Sequence, residues 1–193
     1  VKSSLLAQWP VHLARFVLVG SAVAVLSAGC GGPRLRGTEY RDAAAHYWIG
    51  PVGPRWVALA VDDDNDLAWH DESVAAVIQV NSTCDPGADI PLAALTNHLL
   101  AGFTAREFEE QTVVPMDGRE ALRTHARARL DGVPRELLFY VMKKDGCIYD
   151  FALVTPTGDS FDRALESFEP FVAGFSTRSS DASAGGSSAD GAP

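Results

Sequence analysis

Between residues 44 and 175 the hydrophobic pattern switches between a period of two and a period near 3.6, and each switch predicts an element. Residues 56–61 (WVALAV) follow a turn region built from Pro51, Gly53 and Pro54, and read as a short strand. Beyond the polar run 62–66, residues 67–70 predict a second strand. Residues 75–84 predict a third, in which Ala76, Ile78, Val80, Ser82 and Cys84 share one face. The period then lengthens. Leu92, Leu95, Leu99 and Phe103 recur at spacings of three and four behind Asp89 and Pro91, with Gly102 near the end, which predicts an amphipathic helix.

Residues 108–116 predict a strand closed by the hairpin dipeptide Asp117-Gly118. Residues 119–130 fit both periods. Leu122, Ala126 and Leu130 lie four apart, yet Leu122, Thr124, Ala126, Ala128 and Leu130 also alternate with Arg123, His125, Arg127 and Arg129. The Asp-Gly pairs at 117–118 and 131–132 favour the strand. Residues 137–142 and 147–154 flank Asp145-Gly146, and a two-residue loop there sets Lys144 opposite Cys147, Met142 opposite Tyr149 and Tyr140 opposite Phe151. Both faces of that pair are largely apolar, which predicts cover on both sides of the sheet. Phe161, Leu165, Phe168, Val172 and Phe175 then keep a helical seam started by Asp159 or Ser160, and Pro170 is expected to divide it into two short helices.

The N-terminal block has a different character. Residues 1–15 carry Lys2 and Arg15 and no acid, and residues 16–29 run uncharged, the n-region and h-region pattern of a secretory signal. The apolar run is short for a transmembrane span, which needs roughly 20 residues. Its end, Leu26, Ser27, Ala28, Gly29, Cys30, resembles the lipobox of bacterial lipoprotein precursors, although Ser27 stands where leucine is usual. The resemblance implies a signal peptide over 1–29, acylation of Cys30 by palmitate or a related chain, and attachment to the membrane through that anchor; the alternatives are a plain cleaved signal or an N-terminal helix with an incidental cysteine. Gly31 in place of aspartate favours an outer-membrane site facing the periplasm over the inner membrane. Residues 30–43 then read as a lipidated tether, 44–175 as one domain, and 176–193 (STRSSDASAGGSSADGAP) as a disordered tail.

The order of a short N-terminal hairpin, a strand, a helix, a four-strand meander and a C-terminal helix resembles the PsbP-like superfamily. That group includes photosystem II extrinsic proteins, a nuclear-transport factor and several bacterial envelope lipoproteins. The residues carrying the resemblance are Pro54 and Trp56, the 92–103 helix, Asp117-Gly118, Asp145-Gly146 with Tyr149, and the seam from Phe161 to Phe175. It implies an α+β fold, an antiparallel sheet covered by helices on both faces in an α/β/α sandwich. It also implies a binding or assembly module without a shared active site, so no catalytic residues and no cofactor are carried across.

Charge and chemistry narrow the picture further. The net charge is −9, and residues 1–29 hold two of the 16 cationic side chains and none of the 25 acidic ones, so their removal leaves −11. Such a balance argues against sequence-independent nucleic-acid binding, which needs lysine and arginine against phosphates. With Cys30 assigned to lipid, Cys84 and Cys147 remain at strand ends in an exported protein. They form a disulfide or stay as two buried thiols. Asp62, Asp64 and Asp66 have the alternate spacing of a calcium loop but lack its glycine and closing glutamate, and read as a solvated acidic turn. His70, Asp71 and Glu72 are strand neighbours that point to opposite faces, so they do not form a triad. Arg119, Arg123, His125, Arg127 and Arg129 form a basic stripe, either a contact for an anionic partner or a solvated face paired with glutamates and aspartates. Asp150, opposite Val141, needs a partner, expected to be an arginine or lysine of the neighbouring strand. Three functions are compatible: a lipid-anchored, non-catalytic periplasmic binding or assembly module, which leads; an accessory lipoprotein of an envelope lipid transport system, contacting a lipid or an envelope protein; and a hydrolase with an unrecognised site. Neither G-x-S-x-G, H-E-x-x-H nor a P-loop occurs.

Overall fold

The computed structural model describes residues 34–62, 65–85 and 90–177. Its first three strands, β1 (Arg34–Arg36), β2 (Glu39–Arg41) and β3 (His46–Trp48), form a small antiparallel sheet. Residues 34–41, expected to be tether, are therefore part of the folded body. The reason is aromatic burial: Tyr40 and Tyr47 stack with ring centroids 4.7 Å apart, and Tyr47 meets Tyr149 and Phe175. The C-terminal boundary also moves outward, because Ser176 and Trp48 exchange backbone hydrogen bonds and Thr177 N–H donates to Asp117. The proposed anchor Cys30, with Asp64 and Asp89, lies outside the described residues.

The main sheet has seven antiparallel strands. They are β4 (Val57–Ala58), β5 (Leu67–Asp71), β6 (Ala76–Cys84), β7 (Thr104–Met116), β8 (Arg119–Leu130), β9 (Val133–Lys144) and β10 (Cys147–Thr155), in the order β4-β5-β6-β10-β9-β8-β7. Residues 119–130 are strand, as the two Asp-Gly pairs favoured. Asp117, Asp131 and Asp145 and the glycines after them all have positive φ, the backbone that two-residue hairpins require and that glycine adopts without a steric cost. The resulting β9–β10 register pairs Lys144 with Cys147, Met142 with Tyr149 and Tyr140 with Phe151, as the loop predicts. By contrast the strand expected over 56–61 keeps only two residues. The outer strand β7 has register irregularities between Thr104 and Glu107 and between Phe108 and Glu110.

Alternation sorts β9 and β10 into two sets. Leu138, Tyr140, Met142, Tyr149, Phe151 and Leu153 join Ile78 and Val80 in the larger core. That core is closed by Phe161, Ala164, Phe168, Phe171 and Val172 of α2 (Asp159–Ala173) and by Phe175 after it. Leu137 and Phe139 instead join Leu100 and Ala128 in a smaller cluster, with Leu99, Phe103, Ala152 and Val154 packed against it. The sheet is the body of the fold, and the helical cover expected over both faces is only partial. The first helix, α1 (Leu92–Leu99), is eight residues long, shorter than the 92–103 seam implied. Its buried centre is Thr96 and the following Leu100, while Leu92, Leu95 and Leu99 are half-buried.

Pro170 does not divide the second helix, which runs unbroken from Asp159 to Ala173. The proline sits in the last turn on the exposed side, so the hydrogen bond it deletes lies where water reaches, and Phe168 and Phe171 on either side are fully buried. Its carbonyl still accepts from Gly174 N–H at 3.1 Å. The helix end approaches β3 so closely that a Cβ on Gly50 would meet the Pro170 carbonyl oxygen at 2.0 Å, and one on Gly174 would meet the Gly50 Cα at 2.3 Å.

Gly50→Ala is expected to cost about 1–3 kcal/mol, the scale of overpacking, read as a lower urea midpoint; an unchanged midpoint refutes the backbone contact. Cys84 and Cys147 face each other across β6 and β10 and are joined by a disulfide spanning 63 residues of sequence. Replacing both by alanine is expected to lose roughly 4 kcal/mol on the chain-entropy argument, measured by the same unfolding experiment without reductant.

Candidate functional site

The basic stripe is held in place by β8 and is answered residue by residue. Arg123 donates to the Tyr140 hydroxyl at 2.9 Å and pairs with Glu110 at 3.1 Å and Glu169 at 3.5 Å. Arg127 pairs with Glu109 and with buried Glu136. His125 stacks on Phe161 with centroids 4.7 Å apart and meets Glu136 at 3.0 Å. Arg129 donates to the Gly132 carbonyl. The glutamates come from β7 and β9 on either side and from α2 above, so the stripe is a row of ion pairs tying three strands to a helix. Tyr140 also donates to Glu169 at 2.8 Å. Burial, then Glu169, pushes its hydroxyl up to about 12, against the pull of Arg123. Arg119 stands apart at the β7–β8 turn, where it lines an open groove of about 700 Å³ with Leu92, Pro115 and Lys143.

The acidic residues singled out by sequence are separated. Asp62 accepts from the Asn65 side chain at the surface. Asp66 is not solvated but turned inward, accepting from Tyr47 at 2.8 Å and Ser82 at 2.6 Å. Burial raises its pKa despite these two donors. Asp71 is buried and accepts from the Ser73 N–H and hydroxyl, with Arg55 at 3.3 Å. Burial raises it, but those hydrogen bonds and Arg55 outweigh burial and hold it below the ordinary carboxylate range. His70 and Asp71 lie on opposite faces of β5, so no triad assembles. Among the described residues no group of three or more His, Cys, Asp or Glu side chains could hold a metal ion. A site that sequence reasoning missed is Lys144, which donates to both the carbonyl and the carboxylate of Asp117, at 2.8 and 2.6 Å.

The remaining feature is a cavity of about 210 Å³ between α1 and the sheet, lined by Leu95, His98, Leu99, Val141, Ile148 and Asp150. β10 places Asp150 there because residues 148, 150, 152 and 154 share that face. Its register partners are Val141 on β9 and Asn81 on β6. Among the described residues no lysine or arginine is hydrogen-bonded or ion-paired to it; the arginines of β8 lie on the other face. Among the described residues its one hydrogen bond is from Asn81 Nδ2, at 3.4 Å. Burial pushes the Asp150 carboxyl up to about 7, more than Asn81 pulls it down, and Asp66 adds to the rise.

A carboxyl whose folded pKa lies above its unfolded value makes folding less favourable as pH climbs through the interval between them. Asp150→Asn is therefore expected to raise stability by on the order of 2–4 kcal/mol above about pH 7, and by progressively less towards about pH 4. Thermal unfolding across that range checks it; a variant less stable than the parent at high pH contradicts the assignment.

No protein-family model and no curated protein sequence matches this chain. Solved structures do. The cyanobacterial PsbP protein (CyanoP) of Synechocystis sp. PCC 6803 superposes with a TM-score of 0.54 at 18% identity, covering 83% of this chain and 99% of that one. LpqN of Mycobacterium tuberculosis, involved in cell envelope biogenesis, gives 0.49 at 14% identity over 75% and 88%. The Saccharomyces cerevisiae Ran-binding protein Mog1p gives 0.45 at 11% identity over 72% and 92%. Strand order, the hairpins and the CyanoP superposition lead to one conclusion: this chain has a PsbP-like fold.

Proposed function

We propose that this protein is a lipid-anchored, non-catalytic binding or assembly module of the bacterial cell envelope, exported and facing the periplasm from the outer membrane. The observation that carries the reading is the bond between Cys84 and Cys147. Disulfides persist in oxidising compartments such as the periplasm and are rare in the cytosol. The positive flank, the apolar run and the small residues before Cys30 supply the matching export and acylation signal. Among the described residues no helix is long and apolar enough to cross a membrane, and attachment is assigned to acyl chains on Cys30. Two or more such chains give stable anchoring where one is marginal.

A non-catalytic role is supported by what the titratable groups do. Glu136, Asp117, Asp66 and Asp71 each spend their oxygens on fold-holding partners, and the stripe of β8 spends its charge on glutamates. In this reading the arginine stripe is a structural girdle, and a partner meets the protein elsewhere.

Cells expressing the chain and fed radiolabelled palmitate are expected to give a labelled protein in the membrane fraction, and Cys30→Ser is expected to abolish the label and release the protein. Density-gradient separation of the two membranes reads the outer-membrane assignment. Label that persists in Cys30→Ser, or never appears in the parent, refutes the anchor.

A further inference from the structure

Asp150, half-buried, is provided for differently from the buried acids. Asp71 has Ser73 and Arg55, Asp66 has two hydroxyl donors, and Glu136 has His125, Arg127 and the Gly158 N–H. Asp150 has one long hydrogen bond from a neutral amide. A half-buried carboxylate without a cationic partner is poorly compensated, and here it lines a cavity with four aliphatic side chains. Apolar walls with one or two polar groups that fix orientation are the usual make-up of a small-molecule site.

The chemistry of the walls restricts the occupant. An anion is opposed by Asp150. A wholly apolar guest leaves the carboxylate as poorly compensated as before. A metal ion finds one carboxylate and no cluster of ligands. What the site lacks is a positive charge, and what it offers besides is aliphatic surface. Its volume of about 210 Å³, open to solvent on one side, suits a short hydrocarbon chain.

We propose that this cavity binds a primary amine with a short aliphatic body, its ammonium group against Asp150 and its hydrocarbon among Leu95, Leu99, Val141 and Ile148. The proposal rests on reading the domain as a binding module and is independent of the anchor. The ammonium provides the cationic partner that Asn81 and Val141, the strand neighbours of Asp150, do not, and the site binds it best with Asp150 ionised. Because burial pushes that carboxyl up to about 7, amine affinity rises with pH through that region. The charged groups around the cavity act in known directions. His98 faces it from α1. Lys143 follows Val141 on the same face of β9, opposite Ile148, and its charge opposes a cationic guest. Asp66, beyond β6, attracts a cation and resists ionisation of Asp150.

The full chain titrated with hexylammonium, hexanol and hexanoate, followed by amide chemical shifts, tests this. Hexylammonium is expected to saturate with a Kd under about 1 mM near about pH 8, shifting residues of α1 and β10, and to bind about tenfold more weakly near about pH 5. Hexanol and hexanoate are expected to bind at least about tenfold more weakly near about pH 8. Asp150→Asn, which is expected to fold at least as well as the parent, is expected to lose about tenfold for the amine and nothing for hexanol. Leu95→Trp, filling the cavity while keeping Asp150, is expected to abolish both. Hexanol binding as tightly as hexylammonium, Asp150→Asn binding the amine undiminished, or no saturable binding of the amine overturns the proposal. Palmitate labelling of Cys30 is a separate readout, so failure here is distinguishable from failure of the anchor.

Discussion

The pairing of β6 with β10 is the contact on which the rest of the molecule depends. It runs from Cys84 opposite Cys147 to Val77 opposite Val154, and it joins the early strands to the late meander. Everything on one side, β4 and β5, is built before α1 in sequence; everything on the other, β7 to β9, is built after it. Without this pair the early strands and the late four-strand meander have no common core. Such a non-local contact carries a loop-closure cost that local hairpins avoid. The covalent link at its end therefore acts where the chain has most entropy to lose, and it holds the register of Ile78 and Val80 against Phe151 and Leu153.

Once that centre is set, charge is distributed by strand neighbourhood. β8 carries arginine at alternate positions, β7 and β9 carry glutamates beside it, and α2 adds Glu169. The strongly acidic chain thereby keeps a positive row neutralised at the seam between sheet and helix, where an uncompensated guanidinium would resist burial. Asp150 belongs to the other face and receives none of this compensation. One residue of shift along a strand separates an acid in a salt-bridge network from an acid in a mainly aliphatic cavity.

Local signals were readable and relational ones were not. The three Asp-Gly turns specify their hairpins because the dipeptide itself takes the backbone that the turn needs, so the β9–β10 register followed from counting residues. The seam of α2 was equally plain, whereas its continuity through Pro170 depended on exposure of that one residue, which no pattern records. The 34–41 strands were missed because their only large buried side chain is Tyr40, and its burial is decided by Tyr47. The partner of Asp150 was misjudged for a topological reason. β10 lies between β6 and β9, so the residues offered to it are Asn81 and Val141, and the arginines are a strand farther away on the opposite face. The candidate cavity needed the position of α1 over the sheet and had no signature in sequence; Asp150 amid apolar alternates was its single trace.

The outer strand β7 ends the sheet with thirteen residues whose far side has no neighbour in the sheet. Its two irregularities, together with Pro115 and the glutamates at 107, 109 and 110, break what would otherwise be a straight row of amide groups. Copies set side by side thus meet along a crooked margin that carries charged side chains. Backbone pairing along this margin meets interruptions in amide spacing in place of a regular template.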